Sequence, residues 1–146
     1  MGPLKIISDG SLGSRTAWTR EPYSDRPATP EHPCGQSNYS FDELRELLSR
    51  AKDAGLQVAL HAIGDRANEV AIDAFAASGA RGSIEHAQLI TPSDVRRLVQ
   101  LGVRASVQLA ICWTTATSLS GYGRAGIERL STTHDAERRR RVGAGF

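Results

Sequence analysis

Lys5, His61 and His86 are the residues of this chain whose types and positions could do chemistry together. Each stands in or just after a short apolar run: Lys5 within Leu4 to Ser8, His61 after Leu56 to Leu60, and His86 after Ser83 to Glu85. If those runs are neighbouring parallel strands, side chains at their carboxyl ends meet on one face, where the following loops build a site. Two imidazoles 25 positions apart then become neighbours in space. Neutral imidazole is a good zinc ligand, and a catalytic zinc keeps a position open for water, whose pKa it lowers towards about 7. A protonated ammonium has no lone pair to offer. A lysine whose pKa is depressed by burial or a nearby cation can instead react as the free amine with carbon dioxide, giving a carbamate anion that could bridge two metals. Taken singly, each histidine would be a hydrogen-bonded structural residue and Lys5 a surface lysine near a frayed terminus. The matching positions of the two histidines shift the balance towards ligands, whereas Lys5 on position alone stays a surface lysine.

The elements that must position these groups are legible as alternating periods. After the strand at Leu4 to Ser8, residues 10–39 are rich in Gly, Ser, Pro and Thr without a sustained apolar period, the composition of a long functional or disordered loop. Ser40 and Glu43 have capping-box spacing, Leu44, Leu47, Leu48 and Ala51 repeat at helical intervals, and Gly55 closes that helix. The run Leu56 to Leu60 predicts a buried parallel strand. A second helix is expected from about Arg66 to Ala77, with Val70, Ala71, Ala74 and Phe75 on one side, Gly79 after it and Asp65 as its cap. Ser83 to Glu85 predicts a third strand. Thr91, Pro92 and Asp94 open a third helix ended by Gly102, and Val103 to Leu109 predicts a fourth strand. Strands alternating with helices at this spacing imply right-handed crossovers and a parallel sheet, either a barrel or an open doubly wound sheet. A full eight-fold barrel needs roughly 200 residues or more, so the chain holds about half of one.

Composition narrows the partners. Among 146 residues, 40% are hydrophobic and 23% charged, which supports one cored domain and excludes wholesale disorder. A net charge of +2 with mixed signs gives no basis for binding nucleic acid or an anionic membrane. The one basic run, Arg138 to Arg141, reads as a solvated tail. No stretch approaches the roughly 20 apolar residues of a membrane span, and no targeting segment is recognisable, so a cytoplasmic protein is expected. Cys34 and Cys112 have no metal-finger or redox spacing and are expected to stay reduced. Gly10 and Gly13 belong to neither phosphate-binding glycine motif. His32 and His134 fit no strand end and read as surface residues. Lys5 is one of only two lysines among 18 basic residues, which makes its place in a strand worth explaining.

Three segments carry a resemblance. KIISDGSLGSRTAW at Lys5 to Trp18, LHAIGDRA at Leu60 to Ala67 and IEHAQL at Ile84 to Leu89 are similar, in content and order, to the amidohydrolase-3 family with its formamide-deformylase-like members. The likeness covers roughly residues 4–110. It implies a distorted (β/α)8 barrel, one or two divalent metals, usually zinc, and hydrolysis of C–N amide-type bonds in small molecules by metal-activated water. Lys5 matches the carboxylated lysine of the fourth strand, and His61 and His86 match the fifth- and sixth-strand ligands. Asp9, Arg15 and Asp65 lie within the matching motifs without an assigned role. The family's first-strand HxH pair and its eighth-strand aspartate, the general base that orients the attacking water, have no counterpart in the sequence. Its seventh strand, SVQPxH, is here SVQLAI at Ser106 to Ile111. The expectation is therefore an α/β chain forming strands four to seven of a TIM-like metal-dependent hydrolase barrel over residues 1–112. Residues 113–146 are expected to be a weakly ordered or non-homologous tail, following a truncation or frame change near Cys112. Such a chain would be an incomplete catalyst by itself. The rival expectations are a non-catalytic remnant that self-associates through open strand edges and an α/β binding module with structural histidines.

Overall fold

Ser40 starts the first helix as the sequence predicts: its hydroxyl accepts from the Glu43 amide at 3.3 Å, and the Glu43 carboxylate accepts from the Ser40 amide at 2.7 Å. The computed structural model describes residues 2–24 and 29–108. Within them the order is β1 (Leu4–Ile7), α1 (Phe41–Asp53), β2 (Val58–Ala62), α2 (Asp65–Ser78), β3 (Gly82–His86), α3 (Pro92–Leu101) and β4 (Arg104–Ser106). The tail expected to be weakly ordered, with Cys112, His134 and Arg138 to Arg141, lies outside the described residues. No described helix is long and apolar enough to cross a membrane.

The strands form one parallel sheet in the order β1-β2-β3-β4, so each strand pairs with the next along the chain. An open doubly wound sheet reverses its order and carries helices on both faces. Here a single core joins one sheet face, Ile6, Val58, Leu60, Ala62 and Ile84, to Leu44, Leu48 and Ala51 of α1, Val70, Ala71 and Phe75 of α2, and Leu98 of α3. Helices on one side and strands in sequential order make this a sector of a (β/α)8 barrel. The opposite face, which would line the barrel interior, carries Lys5, Ile7, Ala59, His61, Ser83 and Glu85 by strand alternation.

Two strands begin later than their apolar runs suggest, for one physical reason. Gly55 and Gly102 adopt left-handed backbone conformations after α1 and α3. The residue after each glycine reaches back across the helix end: Leu56 N donates to Ala51 O at 2.8 Å, and Val103 N donates to Leu98 O at 3.1 Å. Leu56 and Val103 are therefore apolar partners of helix caps rather than strand residues. The second helix is capped by Gly64, and Asp65 is its first residue, one place inside the expected cap, where its carboxylate still accepts from the free Arg66 amide at 3.0 Å. A Cβ on Gly64 would lie 1.9 Å from the Trp18 carbonyl oxygen, so only glycine lets the loop after β1 approach there.

The described part of that loop is held by side chains rather than by regular structure. Leu12, Ala17 and Tyr23 bury themselves with Ile63 and Leu89 in a second, smaller apolar cluster. The Tyr23 hydroxyl donates to Ala17 O at 2.9 Å, and Asp9 forms an antiparallel bridge with Ser37.

Candidate functional site

Lys5 and His61 share the inner sheet face through the register of β1 on β2, in which Lys5 sits beside Ala59 and Ile7 beside His61. Lys5 is exposed there. His86 arrives differently. It pairs with Ala62, so alternation would send its side chain to the helix side with Ile84. Its φ of 74° breaks the strand geometry, and its ring instead lies 4.6 Å from that of His61, edge to face. Backbone outliers of this kind cluster at functional sites.

Each ring has one nitrogen engaged by an oxygen. His61 Nε2 donates to Gly10 O at 3.0 Å and lies 3.5 Å from an Asp9 carboxylate oxygen, while His86 Nδ1 lies 2.5 Å from Gln108 Oε1. Nδ1 of His61 and Nε2 of His86 remain beyond those bonds. Desolvation holds His86 below the usual imidazole range, helped by the charges of His61 and Lys5 and opposed by Gln108 and Glu85.

Asp9 is the residue whose role the sequence reading left open and the structure supplies. It is fully buried. Its carboxylate accepts from Trp18 N at 2.9 Å, Gly64 N at 2.9 Å and Ile63 N at 3.1 Å, tying the loop after β1 to the turn that follows His61. Burial pushes its pKa up to about 6 against the pull of those three amides. Asp65, also buried, accepts from Arg20 N at 2.9 Å and Arg66 N at 3.0 Å, and so anchors the same loop to α2. Arg20 adds an ion pair to Glu69 at 3.2 Å, and Arg66 lies over the Trp18 ring. Arg15, left-handed at φ 58°, donates to Gly13 O at 2.9 Å.

Glu85 was also missed. It shares the face of His61, accepts from Ser83 Oγ at 2.5 Å, and feels Lys5 across the small side chain of Ala59. Burial raises its pKa, but hydrogen bonds from Ser83 and Ser106 and the charge of Lys5 bring it below the ordinary value. Alternation along Ser83 to Glu85 was the signal that could have found it. Cys34 has no disulfide partner among the described residues, and His32 is exposed in the loop, as expected of a surface residue.

The donor chemistry suits part of a divalent-metal site. Two adjacent imidazoles each keep a nitrogen, and a lysine stands on the same face. Among the described residues no group of three or more His, Cys, Asp or Glu side chains is placed to hold a metal ion.

A one-sided, sequentially ordered parallel sheet with His61 and His86 towards its carboxyl end, and Lys5 lower on the same face beside Ala59, belongs to the (β/α)8-barrel class. A sequence model of the amidohydrolase family matches residues 1–136, a range that runs on beyond Cys112. The chain belongs to the amidohydrolase family. It is 39% identical over 120 residues to Protein LONG AFTER FAR-RED 3 of Arabidopsis thaliana, covering 74% of this chain and 19% of that protein. It is 33% identical over 111 residues to the putative amidohydrolase YtcJ of Bacillus subtilis (strain 168), covering 73% and 20%. An uncharacterized metal-dependent hydrolase from Pyrococcus furiosus superposes with a TM-score of 0.71 at 42% identity, over 80% of this chain and 24% of that one. Its counterpart from Pyrococcus horikoshii OT3 gives 0.74 at 40% identity, over 84% and 25%. The chain thus spans about a fifth of the curated relatives' length and about a quarter of these structures.

Proposed function

We propose that this chain supplies the lysine and two imidazoles of a metal-dependent amidohydrolase site, with Lys5, His61 and His86 as ligands to one or two divalent metals, zinc by preference. The observation that supports this most is the 4.6 Å approach of the His61 and His86 rings, reached only because His86 leaves strand geometry. When bound, the metal supplies an activated water and polarises the scissile carbonyl of a small amide-type substrate. The chain's own residues would hold that centre: Asp9 and Gly10 fix His61, and Lys5, exposed on the same face, would serve as a ligand once carboxylated. Among the described residues the ligand set is partial, which supports reading the chain as an incomplete catalyst by itself. The small net charge of +2 supports a small-molecule substrate rather than nucleic acid or a membrane.

Titration with zinc against a competing chelator tests the reading. Weak binding that is abolished by His61→Ala and by His86→Ala, and reduced by Lys5→Ala, is expected. Binding indifferent to the histidines would remove them as ligands, and tight stoichiometric zinc with robust turnover would overturn the partial-site view.

A second reading, a non-catalytic unit that self-associates, is favoured by one observation. Ile7 is 51% exposed on the inner face of β1, an edge strand of the described sheet.

A further inference from the structure

We infer that Gln108 is a positioning residue for His86, holding its ring as the Nδ1–H tautomer so that Nε2 remains the basic nitrogen. The inference deepens the metal-site reading and rests on it for its purpose. Three observations carry it.

First, the sheet does not orient His86. Paired with Ala62, it belongs by alternation to the helix-facing set, and only its φ of 74° brings the ring to His61. A half-buried ring on a residue that has left the strand needs a restraint other than the strand. Second, that restraint is at hand. Ser106 pairs with Glu85, so Gln108, two residues further on, stands at the carboxyl end of β4 just beyond His86, with Oε1 2.5 Å from Nδ1. An amide oxygen can only accept, so Nδ1 must carry the proton and Nε2 the lone pair. Third, the neighbouring ring is set the opposite way. The Gly10 carbonyl can only accept from His61 Nε2, which leaves Nδ1 basic in the neutral ring. Two imidazoles in contact are thus locked in complementary tautomers by oxygens on different strands' loops. Hydrogen bonds from a ligand's second nitrogen are what fix tautomer and ring direction in metal sites, and losing one weakens metal affinity by about 10–100-fold.

Gln108 is exposed and outside the apolar core, so its variants should fold. The test is long-range 1H–15N correlation of the imidazole nitrogens in the metal-free chain at mildly alkaline pH. His86 Nδ1 is expected to be pyrrole-like and Nε2 pyridine-like, with His61 the reverse. Gln108→Leu should move His86 towards the Nε2–H form while His61 stays as it was, and Gln108→Glu, which keeps an acceptor, should restore the wild-type pattern. A pyridine-like Nδ1 on His86 in the wild-type chain, or a pattern unmoved by Gln108→Leu, would overturn the proposal. Zinc titration separates it from the reading beneath it. Gln108→Leu should lower zinc affinity by about 10–100-fold. The expected tautomers in a chain that takes up no zinc would uphold the positioning role of Gln108 and count against the metal site alone.

Discussion

At Asp9 one buried carboxylate organises three distant backbone amides, those of Trp18, Ile63 and Gly64, around the strand end that carries His61. Removing it strands buried donors, each of which costs about 1–3 kcal/mol when left without an acceptor. Asp9→Ala should therefore destabilise the chain by about 3 kcal/mol or more, read as a lower urea midpoint at unchanged slope. Asp9→Asn, which keeps one oxygen, should lose less. Equal loss in both variants would show that the amides are satisfied in another way. His61 and His86 were legible in the sequence because strand ends are where parallel folds gather chemistry, and the motifs placed Lys5 with them. The work of Asp9 was not legible, because its partners lie 9, 54 and 55 positions away and are backbone groups that carry no side-chain signature. Gln108 stayed hidden for a related reason. Its partner is a residue whose backbone leaves the pattern from which faces are counted.

At the scale of elements, the helix starts were written in side chains that satisfy free amides: Ser40 with Glu43, and Thr91 with Pro92 and Asp94. Ser40→Ala should cost about 1 kcal/mol, seen as a lower thermal midpoint. The same box carries a pH dependence. The Ser40 amide and hydroxyl hold Glu43 below its ordinary value of 4.5, so its contribution is complete above that value and is lost as pH falls through the lower, folded one. Glu43→Gln should flatten the acid limb of the stability profile; an unchanged limb would place that dependence elsewhere. The strand starts were harder. In Leu56 and Val103 an apolar residue after a glycine serves a helix end and a strand entry at once, and hydrophobicity does not distinguish the two.

For the whole molecule, sequential strand order with a one-sided core leaves β1 and β4 as edge strands among the described residues, β1 covered in part where Asn38 Nδ2 donates to Ile7 O at 2.9 Å. A (β/α)8 barrel has no such edges, because its sheet closes on itself. Multi-angle light scattering should accordingly find concentration-dependent association that weakens in Ile7→Lys, which places a charge on the inner face. A strict monomer with cooperative unfolding would instead mark this sector as an autonomous unit. The sequence held the barrel only as one of two α/β alternatives, because local periodicity cannot say whether helices lie on one face or both. The family motifs, and then the strand order, decided it.

The central claim is that Lys5, His61 and His86 meet at one rim to hold a cation, and an anomalous difference map at the zinc edge from zinc-soaked crystals tests it most directly. The account predicts a peak about 2.0–2.1 Å from one nitrogen of each imidazole, Nδ1 of His61 and Nε2 of His86, with Lys5 facing it. A map with zinc elsewhere and the two rings turned apart would contradict it.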